Sequence, residues 1–156
     1  MIVVDNSVFI DLVFEYKKER TEHSDAFFGI LERNEIPLLE PEVFKIELIG
    51  QLVRRMQRKS ALKVAEDFFS GINFIGNSEL YDVAFSIALE TGSRAIDSFY
   101  IGVAKLKDAL LVSSDKLQVE SAQKFGVEVY YLLDEFEKVK ERLRSAINFS
   151  LKRNLY

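Results

Sequence analysis

The sequence predicts an α/β fold: a three-layer α/β/α sandwich around a central, mostly parallel sheet of about five strands. Two observations predict it. Short β-branched or apolar runs alternate with longer stretches of helical periodicity along the 156 residues, as in stacked strand-helix units. Glycine (7) and proline (2) are scarce, so little of the chain is left for linkers, and the length suits one domain with a sizeable core.

Five runs rich in isoleucine, valine and leucine have the composition of strands. They span residues 2–4, 36–39, 72–75, 109–112 and 127–132, of which the third has the weakest pattern. Helical patterns fill the intervals, over residues 8–18, 24–33, 42–59, 61–69, 79–90, 97–107, 116–125 and 135–148. Right-handed crossovers between parallel strands bring every carboxyl end to one edge of the sheet, where ligands bind in open α/β sheets.

The last helical pattern predicts a C-terminal extension, residues 134–156, beyond a main domain of residues 1–133. Apolar side chains recur along it at helical spacing, namely Phe136, Val139, Leu143, Ile147 and Leu151. Such a stripe predicts either packing against the chain's own sheet or a contact with a partner. Both alternatives stay open.

Composition excludes several classes of function. There is no cysteine, which excludes disulfide scaffolds, thiolate nucleophiles and sites with cysteine ligands, and a single His23 excludes multi-histidine metal sites. The net charge of −4 argues against a surface covered with phosphate-binding groups. No apolar run approaches the roughly 18 residues of a membrane span, and no signal-peptide pattern is present. We therefore expect a cytoplasmic protein, without membrane contact, whose chemistry depends on carboxylates.

Acidic residues follow two of the predicted strands. Asp5 comes directly after the first strand, and Asp115 follows the fourth after Ser113 and Ser114. Both acids are expected at the carboxyl edge of the sheet. Each also suits the N-cap of the following helix, and Gln118 is placed to complete a capping box with Asp115. The cap and the functional carboxylate stay open as alternatives.

Two further acids lie on predicted helices. Asp97 shares a stripe with Ile101 and Ala104, so its carboxylate faces the apolar side and needs a partner, unless it is an N-cap. Glu47 lies on the narrow polar arc of the third predicted helix. Along that arc follow Gln51, Arg54 and Arg58. The arc is either a solvated face with weak charge pairing or a carboxylate at the sheet edge with a basic track leading from it.

Four carboxylates that met in space would repel one another, so that some would be protonated or a cation would sit among them. Oxygen ligands without cysteine or histidine suit Mg²⁺ or Mn²⁺. Such ions activate water and neutralise charge during the hydrolysis of phosphate esters. The acids therefore indicate chemistry on phosphate esters if they lie together.

Four segments in this order and spacing are similar to those of one known family. They are Val3-Val4-Asp5-Asn6-Ser7, Ile46-Glu47-Leu48, residues 95–104 and residues 111–116. Over roughly residues 1–133 the chain resembles the PIN-domain family of metal-dependent ribonucleases. Asp5, Glu47, Asp97 and Asp115 match the four acids of that family. Ser7 matches its small hydroxyl residue after the first acid, and Ser113 stands where the family often has threonine.

The resemblance implies a divalent-metal-dependent endoribonuclease that uses Mg²⁺ or Mn²⁺. Asp5, Glu47 and Asp97 are then expected as inner metal ligands, and Asp115 as a residue acting through water. Many members of this size are toxins of toxin-antitoxin pairs, the VapC type, which implies an antitoxin partner and a homodimer, whereas others process RNA. Arg54 and Arg58 are candidates for RNA phosphates, or are only basic residues favoured near a helix end.

Two other classes of function are alternatives to the nuclease. A phosphatase with an aspartate nucleophile after its first strand would need a second acid where Ser7 stands, which argues against that class. A PIN-like module that binds RNA or a protein without cutting is the alternative, and the presence of all four acids argues against it.

Overall fold

The computed structural model describes residues 1–153, with side chains described for residues 1–148. Within that part, one sheet is built from five strands: β1 (Ile2–Val4), β2 (Leu38–Pro41), β3 (Ile72–Ile75), β4 (Leu110–Ser113) and β5 (Val129–Tyr131). The strands pair in parallel, in the order β3-β2-β1-β4-β5. The predicted central sheet is therefore confirmed, with every described pairing parallel.

Helices cover both faces of the sheet. Those described are α1 (Asn6–Val13), α2 (Lys18–Arg33), α3 (Val43–Val53), α4 (Arg58–Ser70), α5 (Asn77–Thr91), α6 (Ala95–Lys107), α7 (Lys116–Lys124) and α8 (Leu132–Arg153). The connections β1 to β2 to β3 run one way across the sheet and those into β4 and β5 run the other way. Right-handed crossovers then place α1 to α4 on one face and α5 to α7 on the other. This confirms the three-layer α/β/α class.

The third predicted helix, over residues 42–59, is wrong in its extent. The chain leaves the helix after Val53, and the carbonyl of Leu52 accepts from the amides of both Arg55 and Met56, which closes the last turn. Gln57 then has extended backbone and precedes α4. The break lets α4 fold back and pack against α3. Hydrophobic periodicity along the sequence does not predict this break, because the stability of a helix in a protein depends mostly on tertiary packing.

Other element boundaries differ by a few residues. The first helix begins at Asn6 because Asp5 caps it, and it ends at Val13 rather than at residue 18. The second helix begins earlier than predicted, at Lys18. The fifth strand ends at Tyr131, since Leu132 already opens α8.

The core and the last helix are continuous. Phe9 lies at the centre of a group of aromatic rings and packs against Phe44, with ring centroids 4.9 Å apart. On α8, Val139 and Leu143 are buried within the same core. The Leu151 side chain and residues 154–156 lie outside the described residues. Of the helices described, none has the length and apolar character to cross a membrane.

Candidate active site

A cleft of about 450 Å³ opens at the carboxyl edge of the sheet, beside the ends of β1 and β4. These neighbouring strands are connected in opposite directions, which makes the gap between them the switch point where α/β proteins bind ligands. The structure brings all four predicted acids to this cleft: Asp5, Glu47, Asp97 and Asp115. They come from the ends of two strands and from two helices.

Asp5 is both the cap of α1 and a buried member of the cleft, with 5% of its surface exposed. One carboxylate oxygen, Oδ2, accepts from the amide of Ser7 at 3.0 Å and from the Ser7 hydroxyl. The other, Oδ1, accepts from the side-chain amide of Gln118 at 3.0 Å. Burial raises the pKa of Asp5 above its ordinary value although these hydrogen bonds lower it, and the negative charge of Asp97 adds to the rise.

Asp115 caps α7, and its Oδ1 accepts from the amide of Leu117 at 2.9 Å. The capping box expected between Asp115 and Gln118 is not formed. Gln118 is fully buried and turns its amide to Asp5 instead, across 113 positions of sequence. The motif therefore predicts the start of α7 correctly, whereas the predicted local pairing of Gln118 with Asp115 is wrong.

Asp97 does not cap a helix, because Arg94 is the N-cap residue of α6 and Asp97 lies in the first turn. Its side chain is buried on the apolar side of the helix, with 4% exposed, as the stripe predicted. The partner is Arg94, whose Nε donates to Asp97 at 2.7 Å and whose Nη2 donates to Asp115. Burial raises the pKa of Asp97, and the Arg94 guanidinium opposes that rise.

Arg94 is a cation that sequence reasoning missed. Its hydrogen bonds to Asp97 first and Asp115 second raise the pKa of the guanidinium. Arg94 comes just before α6, three residues from Asp97, and this spacing was the available signal for their pairing. The contact with Asp115 forms only because α6 packs beside the end of β4. One positive charge is thus shared between two of the four acids.

Glu47 reaches the cleft from α3 and is held by Tyr100, whose buried hydroxyl donates to its Oε2 at 2.6 Å. Burial raises the pKa of Glu47 to about 7, and the charges of Asp5 and Asp97 contribute to the rise. A carboxyl with this pKa changes its charge near neutral pH. It lies close enough to Asp5 and Asp97 for their charges to affect its ionisation.

Two serines connect the backbone at the strand ends. The Ser7 hydroxyl accepts from the amide of Ser114 at 3.1 Å and so ties the start of α1 to the end of β4. Ser113 is fully buried and accepts from the amide of Asp115 at 2.9 Å. Both hydroxyls thus fix the backbone that carries the two strand-end acids.

The predicted basic track does not line the cleft. Because α3 ends at Val53, Arg54 and Arg58 do not follow Glu47 along one helix, and neither borders the cavity. The cations that do border it, besides Arg94, are Lys17, Arg20 and Arg55. Sequence periodicity placed Arg54 and Arg58 in line with Glu47 because it assumed that the helix continued.

One buried acid lies behind the site and was also missed. Glu40, on β2, is completely buried and accepts from the amide of Val4 at 2.8 Å. Burial raises its pKa well above the ordinary value, and the charges of Asp5 and Glu47 act in the same direction. An acidic residue adjoining an apolar run is the sequence feature that could have identified it.

The donor set fits a hard divalent cation. Asp5, Glu47 and Asp97 offer oxygen ligands alone. Burial raises the pKa values of Asp5 and Glu47, and the charges of neighbouring acids add to the rise, a repulsion that a cation would relieve. Among the side chains described, no group of three acids or histidines is already arranged around one point as an ion site. Arg94 is the cation that pairs with both Asp97 and Asp115 in this arrangement.

The fold and the cleft define a class: an α/β/α protein with an acidic site at the switch point of a parallel sheet. The sequence model of the PIN domain family matches residues 2–123, so the chain belongs to the PIN domain family. PIN domains are generally nucleases and typically use divalent metals, so the family supports a hydrolase. Comparison with curated protein sequences gives no match.

Two solved structures share the fold. PAE2754 from Pyrobaculum aerophilum is 17% identical, with a TM-score of 0.63, and the likeness covers 92% of this chain and 89% of that one. FitAcB from Neisseria gonorrhoeae is 18% identical, with a TM-score of 0.58, covering 83% of this chain and 96% of that one. At these identities the likeness shows the architecture, which agrees with the family assignment.

Proposed function

We propose that the chain is a divalent-metal-dependent endoribonuclease that hydrolyses RNA phosphodiester bonds. One observation carries the proposal: carboxylates from four separate elements, Asp5, Glu47, Asp97 and Asp115, line one cleft at the switch point. Separate elements converge on a cleft in this way when a fold builds a ligand site, because capping alone would not require it.

In this proposal Asp5, Glu47 and Asp97 hold Mg²⁺ or Mn²⁺, and Asp115 acts through water. The bound ion would activate water and neutralise charge on the attacked and leaving oxygens of the phosphodiester. Gln118 and Tyr100 orient the carboxylates of Asp5 and Glu47 through the hydrogen bonds described above. Ser7 and Ser113 hold the two strand ends at a fixed separation.

Arg94 has a second part in the same proposal. Its guanidinium must leave Asp97, or share it, when a metal ion binds, because a carboxylate cannot face two cations on the same oxygen lone pairs. The side chain is largely exposed and lies at the mouth of the cleft, so it can turn towards a substrate phosphate.

The test compares the wild-type chain with Asp97→Asn on labelled RNAs, with Mg²⁺ or Mn²⁺ present and then with a chelator. Asparagine keeps the shape and removes the charge. We expect cleavage that requires metal and is lost in the variant while its unfolding curve stays cooperative. Equal cleavage by both proteins would identify a contaminant or another site.

The second candidate is a PIN-like module that binds RNA or a protein without cutting. Arg94 favours it, since a cation of the chain itself already pairs with Asp97 and Asp115. Metal binding measured by calorimetry, without cleavage of any RNA in a varied set, would support this candidate over the nuclease.

Two roles in the cell are proposed for the nuclease. A toxin of a toxin-antitoxin pair should arrest growth on expression and be relieved by a co-expressed antitoxin, whereas an RNA-processing nuclease should do neither. Both roles place the protein with its RNA substrate in the cytoplasm.

Sedimentation of the purified chain tests the expected homodimer. A chain ending at residue 133 tests whether residues 134–156 form a separable extension.

A further inference from the structure

One of the arginines that line the cleft has no carboxylate partner among the described residues. Arg20 is paired with Asp11 at 2.9 Å, and Arg94 is paired with two acids. Among the described residues, Arg55 forms no ion pair, although it lies on the same cavity. An uncompensated cation in the same cleft as a group of acids is suited to binding part of an anionic ligand that reaches the acids.

Neutral groups hold this guanidinium in place. Its Nη1 donates to the carbonyl and to the side-chain oxygen of Gln51, at 2.8 and 2.6 Å. Its Nε donates to the hydroxyl of Tyr16 at 2.6 Å. None of these acceptors carries a negative charge, so the positive charge is positioned without being neutralised. Nη2 makes no hydrogen bond to the described residues and remains for a ligand.

The residue that orients Arg55 is itself an exposed aromatic. Tyr16 has 63% of its surface exposed, at the connection between α1 and α2. Its hydroxyl is bound to Arg55, while the guanidinium carbon lies 5.8 Å from the ring centres of both Tyr16 and Phe14. The ring is therefore fixed in direction, with much of its surface open. A fixed, open aromatic beside a cation is the arrangement that binds a nucleotide by stacking and charge together.

We infer that Arg55 and Tyr16 form a nucleotide subsite in which Arg55 binds a backbone phosphate and Tyr16 stacks on an unpaired base of the RNA. The inference rests on the proposed nuclease function and adds to it the two residues that would bind an unpaired nucleotide beside the acids. A base inside a duplex is already stacked on its neighbours and cannot offer its face to Tyr16. Both residues act by positioning the strand across the acids and not in the bond-breaking step.

Binding in the Asp97→Asn protein tests the inference apart from cleavage. The probe is a short labelled single-stranded RNA, compared with the same strand in a duplex, with chelator present so that no metal bridges protein and RNA. Arg55→Gln should raise the Kd for the single strand about tenfold, the loss expected for one charged hydrogen-bonding contact. It should also reduce the slope of log K against log salt by about 0.7, the value for one phosphate on a single strand. Arg55→Lys should keep the slope and lose part of the affinity.

Tyr16 is tested with two substitutions. Tyr16→Leu should raise the Kd for the single strand about tenfold and leave the weaker duplex binding nearly unchanged, because stacking is lost. Tyr16→Phe keeps the ring and should change the Kd much less. The matched charge control is Arg33→Gln, an exposed arginine at the end of α2 and far from the carboxyl edge, which should bind like the parent.

Several outcomes would overturn the inference. Unchanged binding by Arg55→Gln, with the unfolding midpoint preserved, removes the phosphate contact. An equal loss in Arg33→Gln shows a general charge effect, and a preference for duplex removes the stacking role. If the wild-type chain cleaves RNA with metal present while any of these binding results is found, the proposed function stands and this inference alone fails. Absence of both cleavage and binding by the wild-type chain overturns both.

Discussion

Gln118 donates a hydrogen bond of 3.0 Å to the buried carboxylate of Asp5, so a side chain of α7 supports the acid at the end of β1. The two residues lie on neighbouring strand-helix units that face each other across the switch point. A carboxylate held from both sides, by Ser7 and by Gln118, has a fixed direction in the cleft.

Removal of this contact should weaken the fold and the site together. We expect Gln118→Met, which keeps the volume and loses the donor, to lower the free energy of unfolding by about 1 kcal/mol. Metal-dependent cleavage should also fall, because Asp5 loses its orientation. Denaturant titration and initial rates measure the two effects. Gln123→Met, at an exposed position of the same helix, is the control and should change neither.

Arg94→Gln tests whether the Arg94 guanidinium competes with a metal ion for Asp97. Without metal the variant should be less stable by about 1 kcal/mol, since the exposed guanidinium is screened by solvent. With Mn²⁺ the stabilisation should be larger than in wild type, because Asp97 no longer has a competing cation. Unfolding midpoints with and without Mn²⁺ give both values. Lys107→Gln, which breaks a surface pair with Glu79, is the control; an equal response to Mn²⁺ in all three proteins contradicts the prediction.

Tyr100→Phe should change the pH dependence of cleavage. The Tyr100 hydroxyl lowers the pKa of Glu47, which burial raises to about 7. Loss of the hydroxyl moves that pKa higher, so Glu47 becomes ionised, and able to bind metal, only at higher pH. The acid limb of the pH-rate profile should shift upward. Tyr81→Phe, at an exposed position on α5, should leave it in place, and a profile unchanged in Tyr100→Phe would remove Glu47 from the rate-controlling ionisation.

Glu40 should make the fold less stable as pH rises. Its pKa is raised in the folded chain, so above the ordinary value of 4.5 the folded protein keeps a proton that the unfolded chain releases. The free energy of unfolding therefore falls with increasing pH, by up to about 1.4 kcal/mol per pH unit, until the folded pKa is reached. Glu40→Gln lacks this ionisation.

The measured quantity is the difference in unfolding free energy between Glu40→Gln and wild type, followed from pH 5 upward. We expect it to move in favour of the variant as the pH rises. Glu66→Gln, an exposed position on α4, is the control. A difference that does not vary with pH would show that Glu40 does not carry the excess proton.

The order and type of the elements, and the sheet edge on which the acids lie, follow from local sequence patterns. Alternation of short apolar runs with helical periodicity is a local property, so it predicted a parallel sheet and placed Asp5 and Asp115 at strand ends. The stripe shared by Asp97 and Ile101 likewise predicted a buried acid, because the period of a helix decides which side chains face the core.

Two of the groups that hold those acids come from distant parts of the sequence, and their contacts depend on tertiary packing. Tyr100 contacts Glu47 across 53 positions of sequence and Gln118 contacts Asp5 across 113, separations that no local pattern encodes. The break after Val53 also depends on how α4 packs against α3, and it replaces the predicted Arg54 and Arg58 with Arg55 at the cleft. Periodicity reports the direction of a side chain from its own element, whereas the partner depends on how elements pack and on the burial gained there.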